Sequence, residues 1–166
     1  ILIGMEAGFG EVAAGIGVVY LCRGFGSGFG PIVARPLMAM EKLMPYIIGF
    51  ALAGAGLLYI GVSTFEWGLL TLVCIFFSHG FSGVSWVFST TMLQKRSDDE
   101  WMGRVAGTDN LIITLTMGIS TLLAGLAMEN EVMELREMLL ITAGVQIAVG
   151  VLWLTLASPN EKKMLD

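Results

Sequence analysis

Leu21 to Pro31 reads LCRGFGSGFGP, with four glycines, Gly24, Gly26, Gly28 and Gly30, behind a single charged side chain, Arg23. Two different folds could carry such a stretch. A glycine-rich turn that cradles phosphate belongs to a soluble α/β domain. The same glycines inside an apolar helix belong to a membrane bundle. A Walker loop needs G-x-x-x-x-G-K-[ST], and the dinucleotide fingerprint needs G-x-G-x-x-G between a strand and a helix. Here the spacing is G-x-G-x-G-x-G, Gly30 is followed by Pro31, and no Lys follows. The stretch meets neither pattern. As helix, Gly24 with Gly28 and Gly26 with Gly30 each form a small-x-x-x-small pair that lets two helices approach closely. The same glycines could also bend the helix or line a transport path.

The surrounding sequence favours the membrane. Hydrophobic residues make up 55% of the 166 residues and charged residues only 14%, against about 25% charged in soluble domains. Mean hydropathy is +0.80. Residues 43–65, 67–94, 110–128 and 138–160 contain no Asp, Glu, Lys or Arg, and residues 12–34 contain only Arg23. A membrane helix needs about 20 apolar residues to cross the hydrocarbon core. The period-2 alternation of a barrel strand is absent. The expectation is an all-α, polytopic membrane helix bundle with five transmembrane helices, at 12–34, 45–65, 67–94, 109–128 and 138–158. The net charge of −5 gives no footing for nucleic acid. Cys22 and Cys74 fall in different spans, where free Cys behaves as a small hydrophobe. The chain opens ILIG, with neither Met nor a basic leader, so its beginning is expected to be missing.

Loop charge sets the expected orientation. If the spans alternate, Arg35, Lys42, Lys95, Arg96, Arg104, Lys162 and Lys163 fall on one side. The other side has Arg136 with Glu6, Glu11, Glu66, Glu129, Glu131, Glu134 and Glu137. Lys and Arg stay cytoplasmic, which puts the C-terminus inside and the N-terminus outside. The reading is a multi-pass protein of the cell (inner) membrane, with the lipid bilayer as its first partner. Pro45 suits the first turn of the second span. Tyr46, Tyr59 and Trp67 suit the headgroup zone. Asp109 and Asn110 are expected to cap or start the fourth helix, and Pro159 to end the fifth.

Polar residues inside the spans are the candidate site. Arg23 lies about 16 Å from either end of its span. A central Arg costs about 2.5–3.5 kcal/mol to insert, and such residues face the protein interior or a water-filled cavity. Arg23 either pairs with backbone carbonyls or takes part in substrate binding or gating. In the third span Ser78, Ser82, Ser85 and Ser89 share a face, with His79, Gly83, Trp86 and Thr90 one step around. The serines could bond their own carbonyls, join helices or line a cavity. His79, the only His, lacks the partners of a metal site and could carry a proton. Asn110, Thr114 and Thr121 share a face of the fourth span. Spans two and five carry little polarity and read as plain lipid-facing helices. No cofactor and no metal is expected.

The run Arg23 to Arg35, RGFGSGFGPIVAR, resembles the eighth helix and following loop of major facilitator superfamily transporters. The branch it resembles includes macrolide efflux pumps and the enterobactin exporter. Gly30 and Arg35 keep the spacing of that family's loop motif, while Ala34 stands where Asp is typical. The later segment SDDEWMGRV, residues 97–105, is similar to another loop of the same branch, matching at Gly103, Arg104 and Val105. The resemblance implies that the spans are helices 8 to 12 of a twelve-helix fold whose N-terminal half is absent from this chain. It further implies a secondary active transporter, an exporter of amphipathic small molecules by alternating access, with protons as coupling ion. The first, third and fourth spans would face the cavity, through Arg23, His79, Ser82, Trp86, Asn110 and Thr114. No acid lies deep in these spans, so a coupling carboxylate would belong to the missing half, or His79 would serve. The alternatives are an integral membrane enzyme, for which the chain lacks clustered carboxylates or histidines, and a small membrane subunit that assembles with partner helices. An enzyme is not expected.

Overall fold

The computed structural model describes residues 12–163, and among them every regular element is helical. The expected placement of Glu6 and Glu11 on the outer side lies outside the described residues, as do the side chains of Lys162 and Lys163 in the tail. Five helices are long and apolar enough to span a bilayer. They are α1 (Val12–Ala34), α2 (Met44–Thr64), α3 (Leu69–Arg96), α4 (Met102–Glu129) and α5 (Leu135–Leu152). A π-helical turn, Trp153–Ala157, and a last helical turn, Ser158–Lys163, extend α5.

Boundaries follow local chemistry. Pro45 sits in the first turn of α2. Glu134 and Glu137 form a capping box at the start of α5, with Glu137 accepting the Glu134 backbone N–H at 2.9 Å. At the end of α4, Val132 N–H reaches Ala127 O and Glu131 N–H reaches Met128 O, a closing turn that puts Glu131 at φ 54°. Two boundaries differ from expectation. The fourth helix begins seven residues early, at Met102, so Asp109 and Asn110 are not caps but lie two turns inside it. Pro159 does not end α5. It has no N–H for Thr155 O, and the preceding turn widens so that Ser158 N–H bonds Trp153 O.

α3 is the centre of the packed part. It lies against α1 on one side and α2 on another, and α2 carries α5. Both crossings that flank this row run through small residues, because helices in lipid associate by close packing. At α1–α3, Gly26 faces the carbonyl of Phe76 and Gly30 that of Gly80, so closely that a Cβ at either would collide with backbone. Pro31 has no N–H to bond Ser27 O, and Gly83 lies against that carbonyl. At α2–α5, Gly56 lies on Ala143 O and Gly150 on the backbone of Ala53 and Gly49. Of the four glycines read as packing residues, only Gly26 and Gly30 pack. Gly24 and Gly28 have open space around them, because they lie on the opposite side of α1.

α2 also departs from expectation. It is not a plain lipid-facing helix but is packed between α3 and α5, with Met44, Ile48, Ala51, Ala55 and Val62 buried. A membrane helix can be central without being polar, since small side chains alone admit its neighbours. Arg136 at the start of α5 closes the C-terminal end of α2. Its guanidinium donates to Ser63 O at 2.6 Å and Phe65 O at 3.0 Å, and lies 4.8 Å from the Trp67 ring centre. At the opposite end Trp153 Nε1 donates to Pro45 O at 2.8 Å, and Ser158 Oγ to the same carbonyl at 3.1 Å. α4 differs from the rest: no residue of it is buried.

Candidate functional site

α1 and α2 do not cover α3 all round. At about 100° per residue, His79, Ser82, Trp86, Thr90 and Leu93 fall within an arc of about 80°. None of these five is buried, whereas Cys74, Ser78, Gly80, Val84, Ser85, Phe88 and Met92 are. The serine face therefore divides. Ser78 and Ser85 belong to the packing surface, and Ser78 Oγ donates to Ile75 O at 3.0 Å. Ser82 lies on the uncovered arc, half-buried, and Trp86 is 53% exposed.

Three helices bring polar groups to the His79 end of this arc. His79 Nε2 lies 3.2 Å from Tyr59 Oη of α2, with the two rings edge to face. Arg23 of α1 is exposed on the bundle, within electrostatic reach of both Tyr59 and His79. Its guanidinium lies 5.9 Å from the Tyr20 ring centre and makes no ion pair among the described residues. Sequence reasoning assigned Tyr59 to the headgroup zone. Its place in α2 was legible, but its hydroxyl points across to His79, which only the α2–α3 crossing could reveal.

Towards the other end the arc opens into a recess of about 340 Å³ between α3, α4 and the extended α5. Trp86, Ser89, Thr90, Met92, Leu93 and Arg96 line it from α3, with Asp109 and Ile113 from α4. Trp153 and Glu161 line it from α5, and Ile48 from α2. Arg96 forms an ion pair with Glu161, and the adjacent Lys95 pairs with Glu41 before α2. These pairs tie the ends of α2, α3 and α5 together.

The fourth helix turns a different face to the recess than expected. Asn110 and Thr114 sit about 100° and 140° around α4 from Asp109, and both are exposed. Asn110 Nδ2 donates to Ala106 O at 3.1 Å. The structure therefore brings Trp86 together with Asp109 and Ile113, and leaves Asn110 and Thr114 outside. Asp109 was the residue that sequence reasoning missed. Reading it as a cap or first residue put it at the very end of its span and left the spans without a deep acid. The signal available was its helical spacing to Ile113, one turn on.

The residues of the resemblance are also placed. Arg35 opens a short 3-10 helix after α1 and is exposed. Ala34, at the position of the motif Asp, is buried, in one hydrophobic cluster with Met44, Ile48, Val84 and Phe88. Gly103 and Arg104 do not lie in a loop but in the first turn of α4, where the Arg104 guanidinium lies 4.7 Å from the Trp101 ring centre. Among the described residues no three His, Cys, Asp or Glu side chains come together as metal ligands. Comparisons with protein-family models, with curated proteins and with solved structures found no match.

Proposed function

We propose that this chain is part of a secondary active transporter that moves amphipathic small molecules by alternating access. The observation that carries the reading is the uncovered polar arc of α3. His79, Ser82, Trp86 and Thr90 sit there on a helix apolar enough to span the membrane, with Arg23 of α1 near the His79 end. Polar and charged groups at membrane depth lie on ion and substrate paths, because lipid solvates them poorly. The recess at the other end of the arc extends that path towards the ends of α2, α3 and α5.

In this reading the five helices belong to a twelve-helix fold of the major facilitator type. Two halves rock about a midplane site, and the arc with α4 faces the second half. The exposure of α4 supports this, since an apolar helix with no buried residue needs further helices or lipid against it. Arg23 and His79 bind or gate the substrate. The test is efflux of a fluorescent amphipathic dye from cells that express the intact protein. Arg23→Ala and His79→Ala each slow efflux at normal expression. Wild-type rates in both would refute the assignment of these residues.

A further inference from the structure

α1 and α2 each pack on α3, and on the far side of α3 from the arc they leave a groove between them. The groove has a volume of about 370 Å³, and no residue lining it bears a polar side chain. Gly80 and Val84 line it from α3, Phe29 and Val33 from α1, and Ile47 and Phe50 from α2. Phe29, Val33 and Phe50 are exposed, so the groove opens outward. From Phe29 to Leu37 it runs about 12 Å along the chain axis, within one half of a hydrocarbon core about 30 Å thick. Left empty, such a void would cost its lining dispersion contacts on the open side. A further helix is too thick to fill it, since a helix about 10 Å across displaces about 900 Å³ over that length. A single hydrocarbon chain is slender enough. The groove also ends at a positive charge. Arg35 lies between the lining residues Ala34 and Leu37, exposed, at the start of a 3-10 turn. It makes no hydrogen bond and no ion pair among the described residues, and Glu41, the one acid in the α1–α2 connection, is taken by Lys95.

We propose that this groove holds one acyl chain of an anionic phospholipid, with the Arg35 guanidinium on the lipid phosphate. A guanidinium presents paired donors that match phosphate oxygens. In the orientation that loop charge predicts, this end is cytoplasmic, where the leaflet carries the anionic lipids. A zwitterionic lipid would set its own cation beside Arg35, and a free phosphate would leave the groove unfilled. Gly30 and Gly80, which meet at the α1–α3 crossing, both line the groove, so the bound chain packs on that crossing and on α2 at once. The proposal rests on the chain lying in a bilayer and requires no transport.

The test uses the full-length protein in phosphatidylcholine vesicles with a trace of phosphatidylglycerol that carries a diazirine midway along one acyl chain. On illumination the label attaches to residues 29–37, 47–51 and 76–84 in excess over Leu115 and Leu122, which are exposed on α4. Replacing part of the phosphatidylcholine by unlabelled phosphatidylglycerol lowers the groove label and leaves the α4 label unchanged, and inorganic phosphate alters neither. Arg35→Gln lowers the groove excess about fivefold. The displacement arm needs no variant and stands if Arg35→Gln fails to fold. Label spread evenly over groove and α4 would mean ordinary surrounding lipid and would overturn the site. So would a groove label that phosphatidylglycerol does not displace, or one that Arg35→Gln leaves at the wild-type level. A second copy or another protein seated there would shield the groove and bring its label below that of α4, which would overturn it too. Loss of efflux with this labelling intact would count against the transporter reading alone, and intact efflux without the groove label would count against this site alone.

Discussion

Tyr59 and His79 show what a single polar contact does inside a membrane bundle. Both side chains are half-buried, and they meet across the α2–α3 crossing with Tyr59 Oη and His79 Nε2 at 3.2 Å. A hydrogen bond of this kind contributes about 0.5–1.5 kcal/mol. Tyr59→Phe lowers the unfolding temperature in detergent, and so does His79→Ala. The double variant loses less than the sum of the two, because residues in contact are not additive. Strictly additive losses would show that the two groups do not interact. Arg23 follows a different rule. Its partner among the described residues is the Tyr20 ring one turn away, and an exposed cation–π contact of about 0.5–1 kcal/mol offsets little of the cost of its central position. In the transporter reading the remainder comes from water or a ligand, and that reading therefore sets Arg23 on the path.

Helix pairing in this chain depends on where side chains are absent. At α1–α3 the backbone of Gly30 lies against Gly80 O, so an added Cβ would collide with main chain that cannot move aside. A Cβ on Gly80 would meet only ordinary contacts, 3.5 Å from Gly26 O and 3.8 Å from Gly30 Cα. The two glycines face one another but are not equivalent. Gly30→Ala costs about 1–3 kcal/mol, as overpacking does, while Gly80→Ala and Gly24→Ala are close to neutral. Thermal unfolding of the three variants checks the order, and equal losses for Gly30 and Gly80 would contradict the crossing. The pattern of alternating glycines was fully legible, and so was the logic of small-residue packing. The choice between the Gly24/Gly28 and Gly26/Gly30 pairs was not, since both have the same spacing and differ only in direction around α1. The α2–α5 seam of Gly49, Ala53, Gly56, Ala143 and Gly150 passed unnoticed because these residues look like ordinary apolar filler.

On the scale of the whole molecule, the row α1–α3–α2–α5 has two unlike surfaces. One presents apolar side chains such as Phe25, Phe50 and Leu57, all well exposed. The other holds the arc of α3 and the recess. If the arc lines an aqueous cavity, a Cys at Ser82 or Thr90, in a protein with Cys22 and Cys74 replaced by Ala, reacts with a water-soluble maleimide in membrane vesicles. A Cys at Phe50 or Leu57 does not. Equal protection at all four positions would remove the cavity.

The sequence alone determined that the chain is helical with five segments long and apolar enough to span a bilayer, because charge-free runs of membrane length are a local property and lipid admits few other backbones for them. It also marked Arg23, His79, Ser82 and Trp86 as polar-bearing residues inside those runs. Tertiary structure decided which glycines touch, that α2 is central, that Tyr59 meets His79, and that Asp109 rather than Asn110 or Thr114 faces the recess. These are matters of which way each helix is turned and which neighbour it meets. In a chain where lipid-facing and protein-facing surfaces are equally apolar, hydropathy carries no information about either.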